Sequence, residues 1–354
     1  MRRIAVLGAG GFIGNRVVET LATANVHQLV PVVRRPAALA LAGRFNLSGR
    51  VADAFDEDGL AAAFKGCTEL VYAIAGDART IVESVRPVYS AAERAGVRRI
   101  VYLSSAVVHG QAPLPGTDET SLLFLDQPFA YNRAKIVAEQ LLQDLCIAGR
   151  TEAVILRPAI VYGPRSQWTG GFADQLLSRT AFLADGGAGV CNAIYIDNLV
   201  HAIDRAIEAE GVNGHAFLLN DRETVSWRDL VAPIADALGF SLDDVPQPSS
   251  TAVLRESKSI SNRFLIPTAR AILRILPRRI AEAQRAARRA LRGSPAAEKP
   301  DPEVARELAL LHSCSVRLPS TKAERMLGYC PPLSFEEGCR RSIAWLRFAG
   351  YPVR

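Results

Sequence analysis

The feature that most constrains the fold lies in the first fourteen residues, where an apolar run at 4–7 breaks directly into Gly8, Gly11 and Gly14. A strand that ends in a glycine turn and passes at once into a helix has a specific use. Gly8 can take backbone angles that a side chain forbids, Gly11 lets the backbone approach a pyrophosphate, and Gly14 lets the helix pack closely on the strand. Phe12 and Ile13 stand at the helix start between them. There the free N–H groups and the positive end of the helix dipole favour phosphate. Three glycines also punctuate ordinary turns, so the rest of the chain must decide between a phosphate cradle and a plain bend.

A chain of 354 residues with 49% hydrophobic content can bury a full core, as one large α/β unit or two domains of ordinary size. The run at 4–7 is too short for a signal-peptide core and no window reaches the length of a membrane span, so a cytoplasmic location is expected. Six cysteines lie far apart, with no CxxC pair and no Cys/His cluster of metal-ligand spacing; free thiols and no metal are expected. The net charge of +6 is local. Eleven Lys or Arg stand against Glu256 and Glu282 between Arg255 and Arg292, a balance of +9 that leaves the remainder net acidic, and nucleic acid is not an expected partner.

Short apolar runs alternate with helical patterns through the first half. Strands are expected at 4–7, 29–33, 50–52, 70–73, 100–103 and 153–156, and helices at 14–24, 57–64, 80–95 and 130–148. Such alternation specifies a doubly wound parallel sheet of Rossmann type. The stretch 193–220 reads as a return to the sheet. The expected division is therefore a dinucleotide-binding domain over 1–163 with a return segment at 193–220, and a smaller, mostly helical substrate-binding cap from 164–192 and 221–354. Within the cap, Ser226 should cap a helix running to Leu238. Residues 263–292 are basic and amphipathic, which suits first a helix covering the cleft, then a helix on an anionic membrane surface, and last a partner or nucleic-acid contact.

Three groups of residues carry the chemistry. The second strand ends in Arg34, followed by Arg35, at the distance from the glycines where a carboxylate would bind the ribose hydroxyls of NAD(H). A guanidinium pairs with a 2′-phosphate instead, which favours NADP(H) and leaves NAD(H) as the alternative. Asp53, before Ala54, ends a further strand and can accept from an adenine amino group or simply close a turn. Tyr131 and Lys135 are four apart on one helix face, so the ammonium can stabilise a phenolate and bring the phenol into use as an acid or base. Upstream, the strand at 100–103 runs into Ser104 and Ser105, either of which could polarise the same carbonyl oxygen.

These segments together resemble the extended short-chain dehydrogenase/reductases, the NAD-dependent epimerase/dehydratase family. The resemblance rests on GAGGFIG at 8–14, AIAG at 73–76, AGVRRIVYLSSAVVHG at 95–110, YNRAK at 131–135, LRPAIVYGP at 156–164, AIYIDNLVHA at 193–202 and the closing segment 322–345. It implies an enzyme that passes hydride between a nicotinamide and a hydroxyl or keto carbon. Tyr131 would move the proton, Lys135 would hold the nicotinamide ribose and lower the tyrosine pKa, and Ser105 would hydrogen-bond the reacting oxygen. Ala73 and Ala75 would lie near the ribose and Pro158 along the nicotinamide. His109, Asn192, Tyr195 and Arg165 become candidates for substrate contact, with Arg165 suited to a diphosphate. The chain departs from the family pattern at Arg34, at His109 where a tyrosine is familiar, and at Asp197-Asn198 where many sugar enzymes have two aspartates. The resemblance implies a nucleotide-sugar substrate and a homodimer built on the helices at 80–95 and 130–148. A dehydrogenase of steroid-like or other apolar alcohols at a membrane surface, and a non-catalytic dinucleotide sensor, are the alternatives.

Overall fold

A computed structural model describes residues 2–261 and 302–354. Seven parallel strands form one sheet in the order β3-β2-β1-β4-β5-β6-β10. Its strands are β1 (Arg3–Leu7), β2 (Gln28–Val33), β3 (Arg50–Val51), β4 (Glu69–Tyr72), β5 (Arg99–Leu103), β6 (Glu152–Pro158) and β10 (Ala216–Leu219). Successive side chains of β1 enter opposite layers, as strand geometry requires. Ile4 and Val6 pack towards α1 (Phe12–Ala24) and α8 (Ile196–Glu208), while Ala5 and Leu7 pack towards α3 (Glu57–Phe64), α5 (Val85–Arg94) and α6 (Ala130–Ala148). A strand buried on both faces has no polar side, which is why these runs are continuous and apolar.

The helix expected over 80–95 is two helices, α4 (Ala78–Glu83) and α5. Pro87 explains the break: it has no N–H to offer the Glu83 carbonyl one turn back, and its ring crowds that carbonyl. Ser84 fills the joint, its buried hydroxyl bonded to the Thr80 carbonyl and the Tyr72 hydroxyl. Helices α3 and α6 run over the expected residues.

The return segment supplies β9 (Ala193–Tyr195), paired in parallel with β7 (Ile160–Tyr162), then α8, then β10 on the sheet edge beside β6. Beyond it, α9 (Trp227–Leu238) starts in a capping box, Ser226 and Asp229 each accepting from the other's backbone N–H, and stops at left-handed Gly239. Val231, Ile234 and Leu238 of α9 join Phe172 and Leu176 of α7 (Phe172–Leu177) and Leu346 of α13 (Phe335–Phe348) in a separate small core. Two further helices complete the described C-terminal part, α11 (Pro302–His312) and α12 (Thr321–Leu327); α10 (Ser250–Ser261) precedes them. The basic stretch 263–292 lies outside the described residues. Among the described residues, no helix is long and apolar enough to cross a membrane.

Candidate active site

The carboxyl ends of β1, β2, β3, β4, β5 and β6 share one edge of the sheet, where open α/β sheets bind ligands. At the end of β1, Gly8 has φ of 91°, and a Cβ there would stand 2.6 Å from the Ala73 carbonyl oxygen. A Cβ on Gly14 would run into the Gly8 carbonyl, so the first turn of α1 lies directly on the glycine loop. Gly11 is different: its Cβ would meet only the Gly8 oxygen at 3.2 Å, so what its small size preserves is room in front of the turn. It is the N-cap of α1, with no capping side chain and no acidic residue in the first turn. That combination, an open helix N-terminus behind a glycine loop, fits a pyrophosphate. Gly14→Ala should destabilise the fold by roughly 1–3 kcal/mol through overpacking and weaken dinucleotide binding. Thermal melts with and without NADH test this, and an unchanged ligand-induced shift would count against the cradle.

Arg34 and Arg35 are exposed immediately beyond Val33, the last residue of β2. Asp53 is exposed after β3, and its Oδ1 accepts from the Phe55 N–H at 3.0 Å, closing a turn next to half-buried Ala54. Ala75 is exposed beyond β4, and Pro158 is buried at the end of β6.

Behind this edge stands the polar core of the site. β5 ends at Leu103; Ser104 is buried with its Oγ unpartnered, while half-buried Ser105 caps the 3₁₀ turn Ala106–His109 by accepting from the Val107 N–H at 3.4 Å. Its hydroxyl also faces the Tyr131 phenol and favours its ionised form. Of the two neighbouring hydroxyls, the structure brings Ser105 to the tyrosine. Tyr131 lies in the first turn of α6, and 39% of the residue is exposed. Desolvation of the phenol pushes it above its ordinary range; the Ser105 hydroxyl opposes the rise and the Glu307 carboxylate adds to it. The phenol is thus held in its protonated form, where the sequence led us to expect a lowered value.

Lys135 follows one turn along α6 and is 2% exposed. Its Nζ donates to the Leu103 carbonyl at 2.7 Å and the Tyr102 hydroxyl at 3.3 Å, and lies 6.0 Å from the Tyr131 ring centroid. Burial pushes the ammonium down to about 8, against the opposing pull of Glu139. Glu139, a further turn along the same face, forms a buried ion pair with Arg157 of β6, at 2.6 Å between Nη2 and Oε2 and 3.1 Å between Nε and Oε1. The Tyr131, Lys135, Glu139 spacing was present in the sequence as an i, i+4, i+8 row. Arg157 could have been suspected as its partner only once β6 was known to pass beneath α6.

The other guanidinium nitrogen of Arg157 donates to His109 Nε2 at 3.1 Å. Burial first, and then the Arg157 cation, push His109 down to about 4. At neutral pH it is an uncharged acceptor, the hydrogen-bonded neighbour and not an auxiliary acid. The remaining substrate candidates also have structural engagements. Asn192 accepts from the Leu318 N–H at 2.8 Å and donates to the Val316 carbonyl at 2.9 Å. Tyr195 is fully buried, its ring 5.4 Å from that of Tyr162. Arg165, at φ 70°, bonds the Asn15 side chain on α1, which places it beside the glycine turn.

A narrow cleft opens at Ala106 and Val107, the residues that follow Ser105 in the chain. Ala106, Val107, Pro113, Ile160, Trp227 and Leu311 are among the described residues that line it, with Gln111 and Asn192 as its polar groups. Gln111 was absent from the sequence reading, as was its partner. Its buried amide exchanges hydrogen bonds with Asn132 at 3.0 and 3.3 Å, and also donates to Glu307 Oε1 of α11 at 3.2 Å. No pattern around Glu307 marks it in the sequence.

Residues 4–219 match the NAD dependent epimerase/dehydratase family. A 3-diazoavenalumate denitrifying reductase from Streptomyces sp is 30% identical over 226 residues, 59% of this chain and 73% of that protein. The decarboxylating sterol-4-alpha-carboxylate 3-dehydrogenase of Dictyostelium discoideum is 24% identical over 64% of this chain and 74% of its own length. The crystal structure of a UDP-glucuronic acid 4-epimerase from Bacillus cereus, in complex with UDP-glucuronic acid and NAD, superposes with a TM-score of 0.69 over 98% of this chain and 99% of that one, at 17% identity. A family match spanning the glycine turn, Ser105, Tyr131 and Lys135 agrees with what the sheet edge displays, and this chain belongs to the NAD dependent epimerase/dehydratase family.

Proposed function

We propose that the protein is a nicotinamide-dinucleotide-dependent oxidoreductase acting at a hydroxyl or keto carbon, with Tyr131 as the proton donor and acceptor. The observation that carries this reading is that Ser105 and Lys135 both lie beside Tyr131, Ser105 just past the carboxyl end of β5 on the sheet edge that also carries the glycine turn. The glycine turn and the open N-terminus of α1 would hold the pyrophosphate, and Lys135 the nicotinamide ribose. When bound, the dinucleotide supplies or accepts hydride. The chain's own residues do the rest. Ser105 orients the substrate oxygen, the protonated Tyr131 phenol delivers the proton to it, and the buried Lys135 cation stabilises the phenolate left behind. A site equipped with a proton donor in this way supports an enzyme over a sensor that only binds dinucleotide.

The cleft's apolar lining supports an apolar alcohol or ketone as the substrate. The walls offer few polar groups, and both Gln111 and Asn192 are already hydrogen-bonded within the protein. The nucleotide-sugar reading rests on the likeness in fold to the UDP-glucuronic acid epimerase and on Arg165 beside the glycine turn. A panel of sterols, aryl ketones and UDP-sugars, followed by the absorbance of NADH or NADPH, separates the two. Turnover confined to UDP-sugars would reject the apolar reading.

Exposed Arg34 and Arg35 beyond β2 support NADP(H) as the preferred cofactor. Arg34→Asp should shift the ratio of NADPH to NADH affinity towards NADH by about tenfold or more, since it exchanges attraction for repulsion of a 2′-phosphate. An unchanged ratio in binding titrations would remove Arg34 from cofactor selection.

A further inference from the structure

Two strand ends open onto the cleft from the reacting side. Ala106 and Val107 follow Ser105 past the end of β5, and Ala159 and Ile160 follow Pro158 past the end of β6. Much of the remaining wall comes from the cap, where Trp227 of α9 meets Leu311 of α11. Trp227 is 2% exposed, and its indole Nε1 donates to the Leu311 carbonyl at 2.9 Å. With that donor used, the indole has only apolar ring surface to offer a ligand. We propose that Trp227 is a specificity-determining residue: it closes the cap end of the cleft and holds the substrate to an apolar carbonyl compound of single-ring size, shutting out fused ring systems such as sterols. This deepens the reading of the cleft as the site of an apolar alcohol or ketone and rests on it.

Size and stiffness are the physical reasons. The cleft holds about 350 Å³, part of it open to solvent, at the low end of the roughly 300–1,000 Å³ that small-molecule sites span. Widening it towards the cap means moving Trp227, which is held from several sides. Its backbone N–H donates to the Gly189 carbonyl at 3.1 Å. Its ring lies 5.3 Å from that of Trp168 and 4.9 Å from that of His312, both tilted as aromatic pairs prefer. His312 is itself anchored, its Nδ1 accepting from the Ala184 N–H at 3.0 Å. On the adjoining wall, Asn192, just before β9, ties down the chain at Val316 and Leu318, and the Val190 N–H donates to the Cys314 carbonyl at 2.6 Å. Displacing the indole leaves a buried N–H unpaired and breaks two ring contacts, so a longer substrate meets a fixed wall and not a yielding side chain.

Three ketones of increasing size test this: acetophenone with one ring, 2-acetylnaphthalene with two and progesterone with four. Each is titrated by calorimetry into the full-length protein saturated with NAD⁺ or NADP⁺, whichever binds more tightly. An oxidised dinucleotide has no hydride to give a ketone, so the heat reports binding alone. Acetophenone should bind, 2-acetylnaphthalene about tenfold or more weakly and progesterone not at all, since a hydrophobic pocket discriminates by roughly 10–200-fold against even one added methylene. Trp227→Leu should recover about tenfold for 2-acetylnaphthalene while changing acetophenone affinity by less than about threefold. Leu311→Ala keeps the carbonyl that Trp227 bonds, widens the same end and should act in the same direction; thermal melts check that each variant is folded. Progesterone or 2-acetylnaphthalene binding the parent protein as tightly as acetophenone overturns the proposal, as does a size limit that neither variant relaxes. A uniform loss of affinity for every ketone would give Trp227 a structural role only, which overturns it too. If none of the three binds the parent, the apolar reading itself fails, and this inference with it.

Discussion

Tyr131→Phe should lower kcat by about 10²–10⁴-fold while leaving dinucleotide affinity and melting temperature close to those of the parent protein. The substitution removes one oxygen and leaves the ring of this partly exposed residue in place, so little packing is lost. What disappears is the phenol that faces the Ser105 hydroxyl, the proton carrier of the proposed reaction. NADH fluorescence titration and turnover on any active member of the substrate panel provide the two readouts. Turnover within a few-fold of the parent would sink the mechanism, and loss of both binding and turnover would point to a damaged fold. Lys135 adds a pH signature. Its proton leaves as pH passes about 8, well below the ordinary lysine range near 10.5, so the reductive rate should fall on the alkaline side as the cation that stabilises the phenolate is lost.

Arg157→Met should have the largest effect on stability, a loss of about 3–5 kcal/mol. Glu139 is 2% exposed and would be left as a buried carboxylate without its bidentate partner. A loss of that size corresponds to a fall of roughly 4–7 °C in melting temperature for a chain of 354 residues. Joining Glu139→Leu to Arg157→Met should recover much of the loss, because two apolar groups of similar bulk leave no charge to solvate. His109 reports the same event independently. Without the Arg157 cation its titration should rise from about 4 towards the ordinary histidine range, visible by NMR. A melting temperature unchanged in the single variant would show that the pair contributes nothing net.

Much of this was readable from local patterns. Continuous apolar runs located six strands of the sheet to within about two residues at each end, since a strand buried on both faces tolerates no polar side. Ser226 and Gly239 bounded α9 through capping groups that act within one turn. The break between α4 and α5 was equally local, and Pro87 would have revealed it. The substrate candidates were harder. His109, Asn192 and Arg165 each carry chemistry suited to a ligand, but polar groups are also recruited to bond backbone and side chains that folding brings near them. Arg157 and Asn15, which engage His109 and Arg165, are respectively 48 and 150 positions away in sequence.

The amino-acid order, then, set the strand-turn-helix that opens the sheet, the alternation that builds it, and the Tyr131-Lys135-Glu139 row on one face of α6, because each depends on neighbours within a turn or a strand. Packing set the rest. It brought Ser105 rather than Ser104 to Tyr131, gave Glu139 to Arg157, turned His109 into an uncharged acceptor, and carried Glu307 across the cleft to Gln111. Those pairings join residues from different layers, and their charge states follow from how much water the layers exclude. Spacing along the chain carries no record of either.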